Sequence, residues 1–147
     1  MMKQMVAAGL AAGMFLSMMM VNMGVAEMAD QDTDKQKAVK VVQTAGRDRL
    51  GDFAPDFARY NDDILFGEVW SKNDVLSLHD RSIVTVSALV ASGVIDSSLK
   101  FHIASAKKNG VTKDEMVEII TQLGFYAGWP KAWAAFNMAK EVYAEEK

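Results

Sequence analysis

Only two of the 147 residues are histidines, and one of them, His102, lies on the apolar stripe of a predicted helix. The stripe also contains Leu99, Ile103 and Ala106. Together with His102 they occupy positions i, i+3, i+4 and i+7, which lie on one face of a helix. Burial drives an imidazole toward its neutral form and leaves it ready to exchange a proton near pH 7. His102 is therefore a candidate proton donor. The alternative is a hydrogen-bonded core histidine, which is the commoner role of a lone histidine on an apolar face.

A second candidate group is the polar stripe of the following helix, which carries Glu115, Glu118, Gln122 and Tyr126. Thr112 and Glu115 have the spacing of a capping box, so Glu115 is expected to serve the start of that helix. Glu118 lies beside the buried face and could orient an imidazole. A carboxylate stripe is also typical of a solvated face, and that alternative stays open.

The third candidate is the beginning of the helix that Ser77 is expected to cap, where His79 and Arg81 lie in the first turns. A guanidinium at this end opposes the helix dipole, which favours negative charge there. The placement makes sense if an anion binds at that end, where free backbone N–H groups also point. A salt bridge from Arg81 to Asp80 or to another carboxylate is the simpler alternative.

The composition excludes several kinds of chemistry. The chain has no cysteine, which excludes disulfides, thiolate metal sites and a thiol nucleophile. Two histidines are too few for a histidine-rich metal cage, and no cofactor or metal is expected. The net charge is −3 without a basic tract, so nucleic acid is not expected as a partner.

Residues 1–26 are interpreted as a signal peptide. Lys3 is followed by an apolar, methionine-rich run, and Gly24-Val25-Ala26 supplies the small residues that signal peptidase requires. The protein is then exported, to the periplasm or beyond, and residues 27–147 form one domain. The alternative is a retained membrane anchor, because the apolar run could nearly span a bilayer.

The elements that must position these side chains are all helices. No segment alternates with period two, so the sequence predicts an all-α fold with five or six helices in the mature chain. The expected segments are 37–50, 56–70, one from Ser77 to Gly93, one capped by Asp96 and ending near Gly110, one from Thr112 to Gly128, and one beginning at Pro130.

Several short motifs recur in the order found in one known family. They are Phe66-Gly67-Glu68-Val69-Trp70, His79-Asp80-Arg81-Ser82, Leu99-Lys100-Phe101-His102, Asn109-Gly110-Val111-Thr112, Glu118-Ile119 and Tyr126-Ala127-Gly128-Trp129-Pro130. Together they resemble the carboxymuconolactone decarboxylase family, which shares its fold with alkylhydroperoxidase D. The resemblance implies a helical bundle that self-associates through helix packing, commonly as a trimer or hexamer.

The family has two chemical branches, and the sequence distinguishes them. The peroxidase branch needs a Cys-x-x-Cys pair just ahead of the helix histidine, where this chain has Ile95 and Ser98. Neither side chain can perform thiol–disulfide exchange, so thiol peroxidase activity is excluded. The cysteine-free branch resembles γ-carboxymuconolactone decarboxylase, which implies cofactor-independent decarboxylation of a small carboxylated lactone.

The resemblance also implies roles for the candidate residues. Arg81 would anchor a carboxylate, and His79 or Tyr126 would donate a hydrogen bond to the developing oxyanion. His102, oriented by Glu118, would return a proton to carbon. Two aromatic side chains are expected to wall the pocket and exclude water, Trp129 and Phe66.

The expected export favours a second hypothesis, because an intracellular catabolic decarboxylase has no need of a signal peptide. In that case the protein is a non-catalytic helical oligomer that binds a small organic acid or a partner protein. Convergence of His79, Arg81, His102 and Glu118 on one pocket favours the enzyme, whereas their separation favours the second hypothesis.

Overall fold

The computed structural model describes residues 37–144, and all regular structure in that range is helical, which confirms the predicted all-α class. The predicted signal peptide lies outside the described residues. The helices are α1 (Ala45–Leu50), α2 (Pro55–Arg59) with a π-helical continuation (Tyr60–Trp70), α3 (Leu78–Ser92), α4 (Ser97–Lys108), α5 (Lys113–Ala127) and α6 (Trp129–Val142). Within residues 37–144, no helix is both long and apolar enough to cross a membrane.

Helices α3 to α6 form the hydrophobic core. Each contributes small or branched apolar side chains at helical spacing, and nearly all of these are completely buried. The core residues are Val86, Val90, Leu99, Ile103, Ala106, Val111, Met116, Ile120, Ala132, Ala135 and Ala139. The stripe predicted around His102 is therefore real: Leu99, Ile103 and Ala106 are fully buried, and the imidazole lies at their edge.

The predicted helix ends are confirmed by their hydrogen bonds. The Oγ of Ser77 accepts from the N–H of Asp80 at 3.0 Å, and the Asp96 carboxylate accepts from the N–H of Ser98 at 2.8 Å. Thr112 and Glu115 form a reciprocal capping box. Three glycines with positive φ follow the helices that end at them: Gly93, Gly110 and Gly128.

The helix predicted over 37–50 is wrong in its first half, because residues 37–44 are not helical. Residues 37–44 form an extended strap, and two side chains that follow the π segment (Tyr60–Trp70) bind its backbone. Asn73 Oδ1 accepts from the N–H of Val39, and Ser71 Oγ accepts from the N–H of Val41, both at 2.8 Å. The amide of Asn73 also donates to the carbonyl of Val39 at 2.6 Å. Because these N–H and carbonyl groups bond to distant side chains, they are not available to a helix.

The predicted helix 56–70 is helical throughout, but from Tyr60 onward it is a π-helix. The buried residues of this π segment are Asp62, Gly67 and Trp70. The Asp62 carboxylate accepts from the N–H groups of Gly46 and Arg47, each at 2.9 Å, and so holds the start of α1. A Cβ at Gly46 would lie 2.7 Å from Asp62 Oδ1, so only glycine allows this approach.

The charge of Asp62 is stabilised by the same contacts. Burial by itself raises the pKa of the Asp62 carboxyl. Hydrogen bonds from the Asn61 amide and from the N–H groups of Arg47 and Gly46 outweigh burial, and the pKa lies below its ordinary value. Asp62 therefore remains an anion that fixes α1 against the π segment.

Candidate active site

His102 lines an open cleft of about 760 Å³ between the strap, α1, the π segment and the first half of α4. The volume lies within the range of ligand pockets, roughly 300–1,000 Å³. The wall is mainly apolar, with several amides and hydroxyls. The lining residues are Gln43, Ala45, Gly46, Arg49, Leu50, Phe57, Asn61, Leu65, Phe66, Ser97, Ser98, Phe101 and His102.

A smaller cleft of about 150 Å³ lies against the same imidazole. Four residues line both clefts, namely Gln43, Phe66, Phe101 and His102. The second half of α4 and the residue that follows it close the smaller cleft, through Ser105, Lys108 and Asn109. His102 can thus be approached from two cavities, which makes it the centre of the candidate site.

The His102 ring is half-buried. The ring of Phe101 meets it edge to face, with 5.2 Å between the centroids. Burial lowers the pKa of His102 below its ordinary value. The imidazole is therefore neutral at pH 7, and its protonated form is a stronger acid than a free imidazolium.

Among the described residues, the charged side chains that line the two clefts are all basic. Arg49 is the only charged side chain that lines the larger cleft, and Lys108 is the only one that lines the smaller, among the described residues. Within residues 37–144 no carboxylate lines either cleft, although the chain as a whole is acidic. This polarity suits an organic anion.

Gln43 is held in a fixed orientation at the junction of the clefts. Its Oε1 accepts from the N–H groups of Thr44 and Ala45, at 3.0 and 3.1 Å. The side-chain N–H₂ has no acceptor among the described residues, and Gln43 lines both clefts together with His102. Gln43 and Arg49 were not among the residues predicted from the sequence, because neither belongs to an apolar stripe or to one of the recurring motifs.

The structure brings together two of the seven predicted site residues, His102 and Phe66. Arg81 lines neither cleft. Its guanidinium donates to the carbonyl of Lys72 at 3.2 Å, and its Nε is buried without an acceptor in the part of the chain that the structure describes. Glu118 is exposed and makes no hydrogen bond to His102 within residues 37–144. The expected carboxylate–imidazole pair is therefore not formed within the single chain.

His79 belongs to a different cluster, at the start of α3. Its Nδ1 lies 2.8 Å from an oxygen of Asp80, and its Nε2 lies 3.3 Å from an oxygen of Glu115. The hydrogen bond with Asp80 raises the pKa of His79, against the effect of burial, and Glu115 raises it further. Hydrogen bonds from Thr112, together with His79, lower the pKa of Glu115 to about 2. The cluster links the starts of α3 and α5.

Tyr126 and Trp129 lie on another surface, at the junction of α5 and α6. Tyr126 is 86% exposed, and the Trp129 ring covers Gly124, where a Cβ would overlap it. Trp129 lines an apolar cavity of about 260 Å³ with Trp133 and Phe136 rather than the clefts around His102.

The His79 cluster makes a prediction about stability and pH. The pKa of His79 is higher in the folded chain than in the unfolded chain, where it is near 6.5. Its contribution is therefore complete below pH 6.5 and is lost as the pH rises through the folded value. Urea unfolding of wild type and His79→Gln should show a larger difference in midpoint at pH 5.5 than at pH 8.5. An equal difference at both pH values would contradict this linkage.

Comparison with known proteins identifies the family. A sequence profile described as "Carboxymuconolactone decarboxylase family" matches residues 55–141, from the start of α2 nearly to the end of α6. The chain belongs to the carboxymuconolactone decarboxylase family. The predicted family membership is thus confirmed, and the absence of cysteine places the chain outside the thiol-dependent branch.

One named relative supports the assignment, and a second similar protein is uncharacterised. The chain is 42% identical over 98 residues to 4-carboxymuconolactone decarboxylase of Acinetobacter baylyi, a carboxy-lyase; the match covers 67% of this chain and 72% of the relative. It is 29% identical over 85 residues to an uncharacterised 15.0 kDa protein of Paracoccus denitrificans, from the nqo9-nqo10 intergenic region; this match covers 57% of the chain and 63% of that relative.

Proposed function

We propose that this member of the carboxymuconolactone decarboxylase family is a cofactor-independent decarboxylase of a small carboxylated lactone. The observation that carries the proposal is the half-buried His102, which lines a ligand-sized cleft where Arg49 is the one charged side chain among the described lining residues. The 42% identity to a 4-carboxymuconolactone decarboxylase supports the same reaction class.

The proposed reaction requires little from the protein beyond binding and proton transfer. The bond between a ring carbon and its carboxylate breaks, and the electron pair moves through the conjugated double bond onto the lactone carbonyl oxygen. Carbon dioxide leaves, and a dienolate remains. Addition of one proton to a ring carbon then completes the reaction. The ring accepts the electrons itself, so the chemistry can proceed without a cofactor.

His102 is the proposed proton donor. A bound carboxylate favours the protonated imidazole, because an opposite charge nearby raises the pKa of a histidine. The apolar walls of Phe66 and Phe101 then promote transfer to carbon, since a desolvated imidazolium is the stronger acid. The free N–H₂ of Gln43 is the proposed donor to the developing oxyanion.

A second candidate function is binding of an organic acid without turnover. The observation that favours it is the separation of His79, Arg81 and Glu118 from His102 in the single chain. The basic cleft would then hold the acid, and His102 would only line it.

Release of carbon dioxide distinguishes the two functions. Protein without residues 1–26 should release carbon dioxide from a carboxylated butenolide within a panel of carboxylated lactones and β-keto acids. No release from any of them, combined with binding of the same compounds by calorimetry, would replace the decarboxylase with the acid-binding function.

Self-association is proposed through the aromatic surface where α5 and α6 meet, formed by Phe125, Tyr126, Trp129 and Trp133. All four side chains are more than half exposed, and together they make an apolar patch of the kind that marks interaction sites. Helix packing of this sort would give a trimer or hexamer.

We expect Trp133→Glu to shift the protein to smaller species in sedimentation velocity. Val84→Glu, at an exposed site on α3, should not do so. Unchanged sedimentation of the Trp133 variant would exclude this surface.

Export is proposed from the apolar segment 1–26 and the small residues that end it. Expression of the full chain should yield a periplasmic or secreted protein whose N-terminus, by mass spectrometry, begins near Glu27. An intact N-terminus in the membrane fraction would instead support the retained anchor.

A further inference from the structure

Asn73 binds the backbone of the strap (residues 37–44) in two directions at one residue. Its Oδ1 accepts from the N–H of Val39 at 2.8 Å, and its Nδ2 donates to the carbonyl of the same residue at 2.6 Å. Nδ2 also donates to the carbonyl of Trp70 at 3.2 Å, and Asn73 is only 8% exposed. The orientation of this buried amide is therefore fixed, because its oxygen and both N–H donors are engaged.

A two-way contact of this kind is specific for one residue of an extended segment. The N–H and the carbonyl of one residue point to the same side, and those of the next residue point to the opposite side. Asn73 can therefore pair with Val39 but not with either neighbour of Val39 in the same geometry. Ser71 Oγ accepts from the N–H of Val41, two residues farther along, as this periodicity requires. The Asn73 contact thus sets the register of the strap.

The register decides which strap side chains reach the clefts that His102 lines. Val41 and Gln43 are partly buried and line the smaller cleft with the imidazole, whereas Val42 and Thr44 are exposed. A slip of one residue would exchange these two sets, because the side chains of an extended segment alternate between its faces. The Gln43 amide would then leave the site.

The other anchors of the strap are less specific for one register. Ser71 offers a single hydroxyl, which also donates to the carbonyl of Phe66 at 3.1 Å. Lys40 Nζ donates to the carbonyl of Gly67 at 2.5 Å, from a flexible side chain that can follow a shifted backbone. No residue of the strap is fully buried, so burial of apolar surface contributes little to the choice of register.

We infer that Asn73 is a positioning residue for the proposed reaction: by setting the register of the strap, it places the Gln43 amide at the junction of the two clefts that His102 lines. This inference rests on the proposed function, in which Gln43 donates to the developing oxyanion. Asn73 itself lines neither cleft. The strap precedes residues 55–141, so the family profile does not cover the segment that carries Gln43.

A double-mutant cycle tests whether Asn73 acts through Gln43. Asn73→Ala, Gln43→Ala and the double variant are made in the full chain and purified as the cell processes it. Each is assayed for release of carbon dioxide from a carboxylated butenolide. Val90→Ala is the structural control, because Val90 is fully buried in α3 and lines neither cleft. Asn73→Ser also removes the two-way contact, and it takes the place of Asn73→Ala if that variant does not fold.

We expect Gln43→Ala to lower kcat about 10²-fold, the usual contribution of an oxyanion donor. Asn73→Ala should lower kcat about tenfold, because the two hydrogen bonds that favour the native register are lost. The double variant should match Gln43→Ala within about twofold, since Asn73 has no amide left to position. In urea unfolding, Asn73→Ala should be destabilising in both backgrounds. Val90→Ala should lower the stability of the fold without lowering kcat.

The absence of cysteine from the chain allows a second measurement that does not depend on turnover. The thiol of Gln43→Cys lies on the partly buried face of the strap, and that of Val42→Cys lies at a site that is 78% exposed. Labelling by an aromatic disulfide reagent should be slow at position 43 and fast at position 42. Asn73→Ala should accelerate labelling at position 43 about tenfold, because the same hydrogen bonds are lost, and leave position 42 nearly unchanged.

Several results would overturn the inference. Wild-type kcat in Asn73→Ala would show that the contact does not serve the reaction, and full kcat in Gln43→Ala would exclude the amide through which Asn73 acts. A loss that persists undiminished in the Gln43→Ala background would show that Asn73 acts on the fold as a whole. Unchanged labelling at position 43 would show that Asn73 does not set the register.

Failure of the proposed function is a separate result. No release of carbon dioxide by the wild-type protein would exclude the decarboxylase. The labelling rates at positions 42 and 43 would still decide whether Asn73 sets the register of the strap.

Discussion

Replacement of His102 by glutamine is expected to lower kcat for lactone decarboxylation by about 10²–10⁴-fold, the usual contribution of a positioned proton donor. Glutamine is close in size and keeps a hydrogen-bonding group, so it should fill the junction of the two clefts without disturbing α4. The effect should appear in kcat rather than KM, because the proton is transferred after the substrate is bound. Steady-state release of carbon dioxide measures it, with far-UV circular dichroism to verify the helices.

The second histidine provides a direct comparison. His79 lines neither cleft and pairs with Asp80 and Glu115, so His79→Gln should keep most of the activity that His102→Gln loses. In wild type, kcat/KM should fall as the pH rises through the lowered pKa of His102, since less of the free enzyme then carries the proton. Full activity in His102→Gln, or an equally large loss in His79→Gln, would show that His102 is not the proton donor.

Truncation of Ile103 to alanine is expected to destabilise the fold by about 2–5 kcal/mol, the cost of a cavity at a fully buried aliphatic site. Ile103 is completely buried and follows His102 directly on α4, where Leu99 and Ala106 extend the same stripe. The close-packed neighbours can collapse only partly into the space that remains. Urea denaturation at constant pH measures the free energy of unfolding.

Val84→Ala is the matched control, because it also removes methyl groups from a branched side chain but at a site on α3 that is 57% exposed. Its effect should stay within about 0.5 kcal/mol, as for most surface substitutions. A loss in Ile103→Ala no larger than that of Val84→Ala would mean that the stripe beside His102 is not the core of this fold.

Local rules were sufficient where the structure is local. The caps at Ser77, Asp96 and Thr112 each depend on a side chain within three residues of the N–H that it accepts from, and all three formed as predicted. The apolar stripe beside His102 follows from helical periodicity alone. The same rules failed for residues 37–44, since the Val39 backbone bonds to Asn73, 34 positions away.

The candidate site was only partly predictable for a related reason. His102 could be singled out because the spacing of apolar residues along α4 predicts a buried stripe, and His102 lies on that stripe. Arg81 looked like the anion anchor from its place in a helix, yet its guanidinium donates to Lys72. Gln43 and Arg49 belong to no apolar stripe and to no recurring motif, and only the fold places them on the cleft that His102 lines.

By itself, the amino-acid sequence determined the helical class, the ends of α3 to α5, the exclusion of thiol chemistry and the family, because these follow from composition, periodicity and short motifs. Tertiary structure alone decided that residues 37–44 form a strap, that Asp62 anchors α1, and that Gln43 and Arg49 share a cleft with His102. The physical reason is that each of these depends on which distant group satisfies a given donor or charge. Spacing along the chain does not specify that choice.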